Sequence, residues 1–136
     1  MNIDEYLEYI QLIDSKVANK RYEAEMWREI AEGTASKTDG ERVQSSASQQ
    51  KTEKAVAKYV DIEREIEVLL KDKERFIERI ERLPKHYYNI LHKIYLQGYT
   101  LKQVHLSMRK SYTWATTNHG KAKRELKMLI EREKHG

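Results

Sequence analysis

Two long stretches of this chain, residues 3–31 and 52–83, each carry one apolar stripe whose members alternate between three and four residues apart. This spacing puts each stripe on one side of an α-helix, as in the seam of a coiled coil. Because a helix with a single apolar side is unstable alone in water, the two stretches are expected to pair as a long antiparallel hairpin. The stripe positions are Ile3, Tyr6, Ile10, Ile13, Val17, Lys20, Ala24, Trp27 and Ala31, and Ala55, Tyr59, Ile62, Ile66, Leu69, Lys73, Phe76, Ile80 and Leu83.

Further apolar residues lie beside the stripes, so a hairpin of two helices would leave part of its apolar surface in water. They are Ile30, Val60, Leu70 and Ile77. This surplus predicts a homo-oligomer that associates through residues 3–31 and 52–83. The alternative is a monomeric bundle in which the stripes pack on the C-terminal half of the chain.

A polar segment, residues 33–50, connects the two stretches and is rich in Gly, Ser, Thr and Gln. This composition is typical of a loop or linker. Gly33 stands where helix C-termini favour glycine. The cluster of Ser45, Ser46 and Ser48 is either plain linker or a site for phosphate binding or modification.

The rest of the chain, residues 84–136, has the pattern of three shorter helices. Pro84 closes the second long helix, because the residue before a proline disfavours helical backbone. A third helix is expected over residues 84–96, and Gly98 follows it in a turn where positive φ is accessible. The buried side of this helix is formed by Tyr87, Ile90, Leu91, Ile94 and Tyr95.

A short fourth helix and a longer fifth helix follow, joined by a turn at Arg109 and Lys110. Thr100 is a good N-cap with Gln103 as its capping-box partner, and Ser111 caps the last helix. The inward positions of the two helices are Leu101, Val104, Met108, Ala115, Ala122, Leu126 and Leu129. Such a pair is typical of the helix-turn-helix motif, whose second helix enters the DNA major groove. The expected fold is therefore all-α, a coiled-coil-like hairpin domain (1–83) followed by a small three-helix domain (84–136).

The net charge of +4 hides a strong asymmetry between these two regions. Residues 1–83 contain 15 Lys and Arg against 19 Asp and Glu, a net charge of −4. Residues 84–136 contain 11 Lys and Arg against 3 acidic residues, a net charge of +8. A basic domain beside an acidic one is typical of nucleic-acid-binding proteins, although surface Lys and Arg also solvate helices.

The residues of the C-terminal region also carry a family resemblance. They resemble the fourth conserved region of bacterial sigma factors, which reads the promoter −35 element with a helix-turn-helix. Two positions depart from that pattern, His105 where a small residue is usual and Lys110 where an apolar residue is usual. The matching positions are Leu83, Pro84, Ile90, Leu91, Tyr95, Gly98, Tyr99, Thr100, Leu101, Val104, Ser111, Ala115, Lys121, Ala122 and Leu126.

The whole chain is similar to small regulators encoded by phages and mobile elements of Gram-positive bacteria, the ArpU/RinA-like late-gene regulators. These combine a helical N-terminal half, a stretch like Arg42-Val43-Gln44-Ser45-Ser46, and a sigma-like C-terminal half. The resemblance implies a transcription regulator whose partner is double-stranded DNA. RNA polymerase is a second candidate partner.

The candidate DNA-binding residues lie on and around the last two helices. Those near the start of the last helix are expected to face the bases, and the basic ones to contact phosphates, which adds affinity but no sequence information. Trp114 either stacks on DNA or packs against the third helix. The candidates are Lys102, Arg109, Lys110, Ser111, Tyr112, Thr113, Thr116, Thr117, Lys121, Lys123 and Arg124.

Other functional classes lack their signatures in this sequence. It has no Gly-rich phosphate loop, no His-Glu-x-x-His pattern and no nucleophile elbow, so an enzyme is not expected. The histidines do not have metal-ligand spacing, and no cofactor is expected. There is no cysteine and no long apolar run, which predicts a cytoplasmic chain without a membrane segment.

The function that these patterns favour is sequence-specific DNA binding in transcription regulation. One rival is a phage small terminase subunit, which also joins a helix-turn-helix to an oligomerising helical part but serves DNA packaging. A ring-shaped oligomer would favour that rival. The other rival is a protein-interaction module that contacts RNA polymerase without binding DNA.

Overall fold

The structure, a computed structural model, describes residues 1–33 and 46–135, and within these ranges all regular structure is α-helical. The all-α class expected from the sequence is confirmed. The helices are α1 (Ile3–Glu32), α2 (Ser46–Ile80), α3 (Lys85–Tyr95), α4 (Leu101–Met108) and α5 (Tyr112–His135). Most of the expected linker lies outside the described residues, as do residues 42–45, on which part of the expected resemblance to phage regulators rests.

The ends of the helices follow from local chemistry. The backbone of Gly33 has a φ of 76°, the left-handed conformation that glycine adopts readily, and α1 ends there. Helix α2 begins at Ser46, inside the segment 33–50 expected to be a linker, and Ser48 is exposed near its start. Pro84 occupies the N-cap of α3 with a φ of −52° and a ψ of 148°. The break between α2 and α3 thus lies where proline predicts it.

The helices form two compact units. One unit combines Met1–Ile13 with Lys71–Gly136, and the other consists of Asp14–Leu70. Each unit therefore draws on both α1 and α2. The first contains all of α3, α4 and α5 together with the beginning of α1 and the end of α2.

The unit Asp14–Leu70 is held together by stripe residues of α1 and α2. Its buried side chains are Val17, Ala24, Ala55, Ile62, Ile66 and Leu69. The polar stripe residue Lys20 is half-buried, and its Nζ donates to Glu65 across the two helices at 2.7 Å. This hydrogen bond raises the pKa of Lys20. A lysine that reaches a partner in this way is compatible with an otherwise apolar seam.

The other unit has a larger core, to which every helix contributes. Tyr6 accepts a hydrogen bond from Arg79 at 3.0 Å, and Tyr9 donates to Asp72. Since the two contacts occur in opposite order along α1 and α2, these segments are antiparallel. The buried core residues are Leu7, Ile10, Ile13, Phe76, Ile80, Ile90, Leu91, Ile94, Val104, Ala115, Ala122, Leu126 and Leu129. Among the described residues, no helix has both the length and the apolar character needed to cross a bilayer.

Candidate nucleic-acid interface

Helix α4 begins with the capping box that the sequence predicts. The N–H of Gln103 donates to the Thr100 hydroxyl at 3.1 Å, and the N–H of Thr100 donates to Oε1 of Gln103 at 2.8 Å. Two backbone donors that a helix N-terminus leaves without partners are satisfied in this way. The chain that enters α4 is fixed further by Gly98, whose φ is 79°.

The turn between α4 and α5 is closed by backbone hydrogen bonds. Arg109 has a φ of 57° and a ψ of 46°, a left-handed conformation that is uncommon for a residue with a Cβ. Its N–H donates to the carbonyl of Leu106 at 3.3 Å, and the N–H of Lys110 donates to the carbonyl of His105 at 3.0 Å. This is the hydrogen-bond pattern of a Schellman motif, and it ends α4 sharply.

His105 closes the same turn with its side chain. Its Nδ1–H donates to the carbonyl of Lys110 at 3.0 Å, and its ring lies edge-on to Tyr112 at 5.7 Å. Because a carbonyl oxygen only accepts, Nδ1 must carry the proton. The two departures from the sigma pattern, His105 and Lys110, are therefore bonded to each other.

Helix α5 starts where the sequence predicts and packs on α3 and α4. Ser111 accepts a hydrogen bond from the N–H of Trp114 at 3.0 Å, which makes Ser111 the N-cap. Trp114 is half-buried against a cluster formed by Ile90, Ile94, Val104 and Ala115. Lys110 Nζ lies 5.5 Å from the centre of the Trp114 ring. Of the two interpretations of Trp114, the structure supports packing.

The two sides of α5 differ in kind. Its buried side consists of Ala115, Ala122, Leu126 and Leu129, all predicted from the sequence. At about 100° per residue, the line formed by Thr113, Thr117, Gly120 and Arg124 lies directly opposite the buried side. This outward line is polar, and its first three members are small.

Nine of the eleven candidate residues are exposed, whereas Thr116 and Lys123 are half-buried. Thr116 is half-buried, and its hydroxyl donates to the carbonyl of Thr113 at 3.0 Å, so its hydroxyl proton already has an acceptor. Lys123 is half-buried, and its Nζ donates to Asp4 at 2.9 Å. The exposed candidates are Lys102, Arg109, Lys110, Ser111, Tyr112, Thr113, Thr117, Lys121 and Arg124.

Five exposed cations among the candidates have no carboxylate partner in the part of the chain that the structure describes. Within residues 1–33 and 46–135, no carboxylate lies within ion-pair distance of the exposed lysines and arginines among the candidates. Glu133, one of the few acids of the last helix, is bound by Arg79 at 2.8 Å and by Arg82 at 3.3 Å. The hydrogen bond from Arg79 lowers the pKa of Glu133. The unpaired cations are Lys102, Arg109, Lys110, Lys121 and Arg124.

A half-buried polar pair that the sequence did not reveal links α3 to α5. The hydroxyl of Tyr95 and Nε2 of His119 are 2.8 Å apart, and their rings stack with centres 5.8 Å apart. Burial raises the pKa of Tyr95 to about 12, and burial together with Lys123 lowers the pKa of His119. The folded state therefore favours a neutral His119, whose Nε2 shares a hydrogen bond with the Tyr95 hydroxyl. The 24-residue separation of the pair gives no periodic signal in the sequence.

No group of three or more His, Cys, Asp or Glu side chains in the described ranges is placed to hold a metal ion. Comparison with known proteins finds no match, either among family models or among curated proteins and solved structures. The function must therefore be argued from the geometry of the site.

Proposed function

We propose that this protein is a sequence-specific DNA-binding transcription regulator of the kind that phages and mobile elements encode. In this proposal α3, α4 and α5 form a helix-turn-helix domain on a long antiparallel hairpin, and α5 enters the major groove of promoter DNA. One observation carries the proposal. The start of α5 presents a small, uncharged outward surface that is bordered by unpaired cations.

Each part of this surface has a separate task. The cations neutralise phosphates and position the domain, whatever the base sequence. Tyr112, Thr113, Thr116 and Thr117 lie in the first two turns of α5, where a recognition helix meets base edges. Threonine hydroxyls bond donors and acceptors on several bases, and threonine methyl groups contact the thymine methyl.

The turn between α4 and α5 supports this docking, because it fixes the direction of α5. Backbone bonds at Arg109 and Lys110 are supplemented by the His105 side chain. A rigid element positions contact residues more accurately than a mobile loop does. A further support is that α5 packs on α3 and α4 through residues without charge, which leaves the charged side free.

Self-association through the hairpin is part of the proposal. After the stripes are buried, the unit Asp14–Leu70 still exposes large apolar side chains on both helices. They are Tyr22, Met26, Val56, Val60, Val68 and Leu70. A dimer would place two recognition helices on one duplex, as two half-sites require.

Selection from a random duplex library, followed by binding titrations at several salt concentrations, tests the function. The full chain is required, because α3 to α5 share their compact unit with parts of α1 and α2. Five phosphate contacts predict that log affinity falls with log salt at a slope of roughly −4.5. A folded chain that binds no duplex even at low salt would overturn the proposal.

Substitution of two threonines tests base reading separately from affinity. Thr113→Ala combined with Thr116→Ala removes no charge, so it should leave non-specific binding nearly unchanged. It should reduce the free-energy difference between specific and non-specific binding by about 1–3 kcal/mol. If the double variant keeps its helicity and its full specificity, α5 does not read bases.

A further inference from the structure

Gly120 stands in the middle of α5, where glycine is the least favourable residue apart from proline. Neither the backbone conformation nor the packing at position 120 explains why this residue is a glycine. A Cβ built at this position meets no atom within 4 Å, and the backbone there is helical, without positive φ. Within the described part of the chain, alanine would fit and would favour the helix.

Its position on α5 suggests what glycine provides. Gly120 lies on the outward line with Thr113 and Thr117, two turns beyond Thr113. The rise from Thr113 to Gly120 is about 10 Å, close to the major-groove width of about 12 Å. Unpaired cations lie at both ends of this segment, at Arg109 and Lys110 before it and at Lys121 and Arg124 after it.

This distribution of charge is independent of the small side chains. Cations at both ends of a small, uncharged segment match a ligand with anionic edges and a neutral floor. The major groove has this form, with a phosphate backbone on each side and base edges between them. The helix can approach such a floor most closely where it has no side chain.

We propose that Gly120 is the point at which the DNA comes closest to α5, and that it determines specificity by letting Thr113, Thr116 and Thr117 reach the base edges. This inference rests on the proposed DNA-binding function. It adds that glycine at position 120 allows the DNA to approach closely and, in doing so, lowers the stability of the helix. Stability and affinity should therefore respond in opposite directions when a methyl group is added there.

Gly120→Ala and Gly120→Leu test the inference in the full chain, with the duplex that the wild-type protein selects from a random library as the probe. Gly120→Ala should raise the urea midpoint of unfolding, because alanine favours the helix. It should weaken binding to the selected duplex by about tenfold or more, since an added methyl group overpacks a close contact. Gly120→Leu should weaken it further. Binding to an unrelated duplex should change much less.

Met128→Ala is the matched control, because Met128 is also exposed on α5 but lies about 12 Å beyond Gly120 along the helix. Its affinity should equal that of the wild type. If Gly120→Ala and Gly120→Leu also keep wild-type affinity, the inference is overturned and DNA binding stands. If the wild-type chain selects no duplex, the proposed function itself fails, so the two failures are distinguishable.

Discussion

The Nδ1–H of His105 donates to the carbonyl of Lys110 at 3.0 Å, so a side chain near the end of α4 bonds to the backbone of the turn that follows it. The N–H of Lys110 donates in return to the carbonyl of His105 at 3.0 Å. The two residues thus form a closed pair of hydrogen bonds across the turn. A small residue at position 105, which the sigma pattern favours, would supply only the backbone half of this pair.

His105→Ala should therefore loosen the turn without unfolding the chain. We expect it to lower the free energy of unfolding by about 0.5–1.5 kcal/mol, the net value of one hydrogen bond. His105→Asn should recover part of the loss, because its Nδ2 is a donor close to the position of Nδ1. Urea unfolding of the three proteins measures this. Equal stability of the alanine variant and the wild type would show that the side-chain bond contributes nothing.

Arg109 is the next test of the turn, because its left-handed backbone disfavours every residue with a Cβ except Asn and Asp. Arg109→Gly should raise the free energy of unfolding by up to about 1 kcal/mol. The same change removes a cation, so DNA affinity should fall and the salt slope should become shallower by about one unit. Arg109→Gln is the control, since it should lose the affinity without gaining the stability. A glycine variant with unchanged affinity would exclude Arg109 from phosphate contact.

The half-buried Tyr95–His119 pair predicts how stability depends on pH. Burial lowers the pKa of His119 from its ordinary value of 6.5, so the folded state favours the neutral ring. The unfolded chain then binds more protons between the folded pKa and 6.5. The stability that the neutral His119 ring contributes is complete above pH 6.5. It is lost as the pH falls through the pKa of His119 in the folded state.

Thermal unfolding between about pH 7.5 and pH 5.5 measures this contribution. His119→Gln cannot titrate but can still accept a hydrogen bond from Tyr95. The wild type should lose more thermal stability than this variant as the pH is lowered. The same loss in both proteins would mean that other groups cause it.

Much of this fold follows from local and periodic signals in the sequence. The stripes of α1 and α2, the break at Pro84, the capping box at Thr100 and the N-cap at Ser111 each depend on residues within a few turns of one another. The buried side of α5 follows from the spacing of Ala115, Ala122, Leu126 and Leu129. These features are predictable because side-chain spacing and backbone chemistry determine them directly.

The features that the sequence did not reveal depend on tertiary proximity. Asp4 and Lys123 are far apart in the chain, but Oδ1 of Asp4 and Nζ of Lys123 lie 2.9 Å apart in the fold. No pattern in the sequence links these two residues. The same holds for Tyr95 and His119. The His105–Lys110 bond is local, yet it needs the left-handed backbone of Arg109. An arginine at position 109 does not predict that conformation.

The exposed apolar side chains of α2 predict where copies of the protein associate. Val56 and Val60 are 46% and 39% exposed and lie one turn apart on the same side of the helix. Val56→Glu combined with Val60→Glu should shift the protein towards monomer in analytical ultracentrifugation, because buried carboxylates are costly. Ala57→Glu is the control, since Ala57 is exposed on another side of α2 and does not belong to this group of large apolar side chains. A wild-type chain that is monomeric at high concentration would rule out association by this surface.

Lys121 and Lys123 are two residues apart on α5, yet the structure predicts different effects for them on DNA binding. Lys121 is exposed and has no carboxylate partner among the described residues, whereas Lys123 donates to Asp4 at 2.9 Å. A lysine that already has an acidic partner releases less counterion when a phosphate approaches. Lys121→Ala should therefore make the salt slope shallower by about one unit, and Lys123→Ala should leave the slope nearly unchanged.

Asp4→Asn is the decisive variant for this pair, because it frees Lys123 without removing any cation. Its DNA affinity should rise and its salt slope should become steeper than that of the wild type. Loss of the exposed ion pair should cost no more than about 1 kcal/mol of stability, so the fold is kept. The measurement is a titration of one labelled duplex at four salt concentrations for the wild type and the three variants. Equal slopes for Lys121→Ala and Lys123→Ala would show that the ion pair with Asp4 does not withhold Lys123 from the DNA.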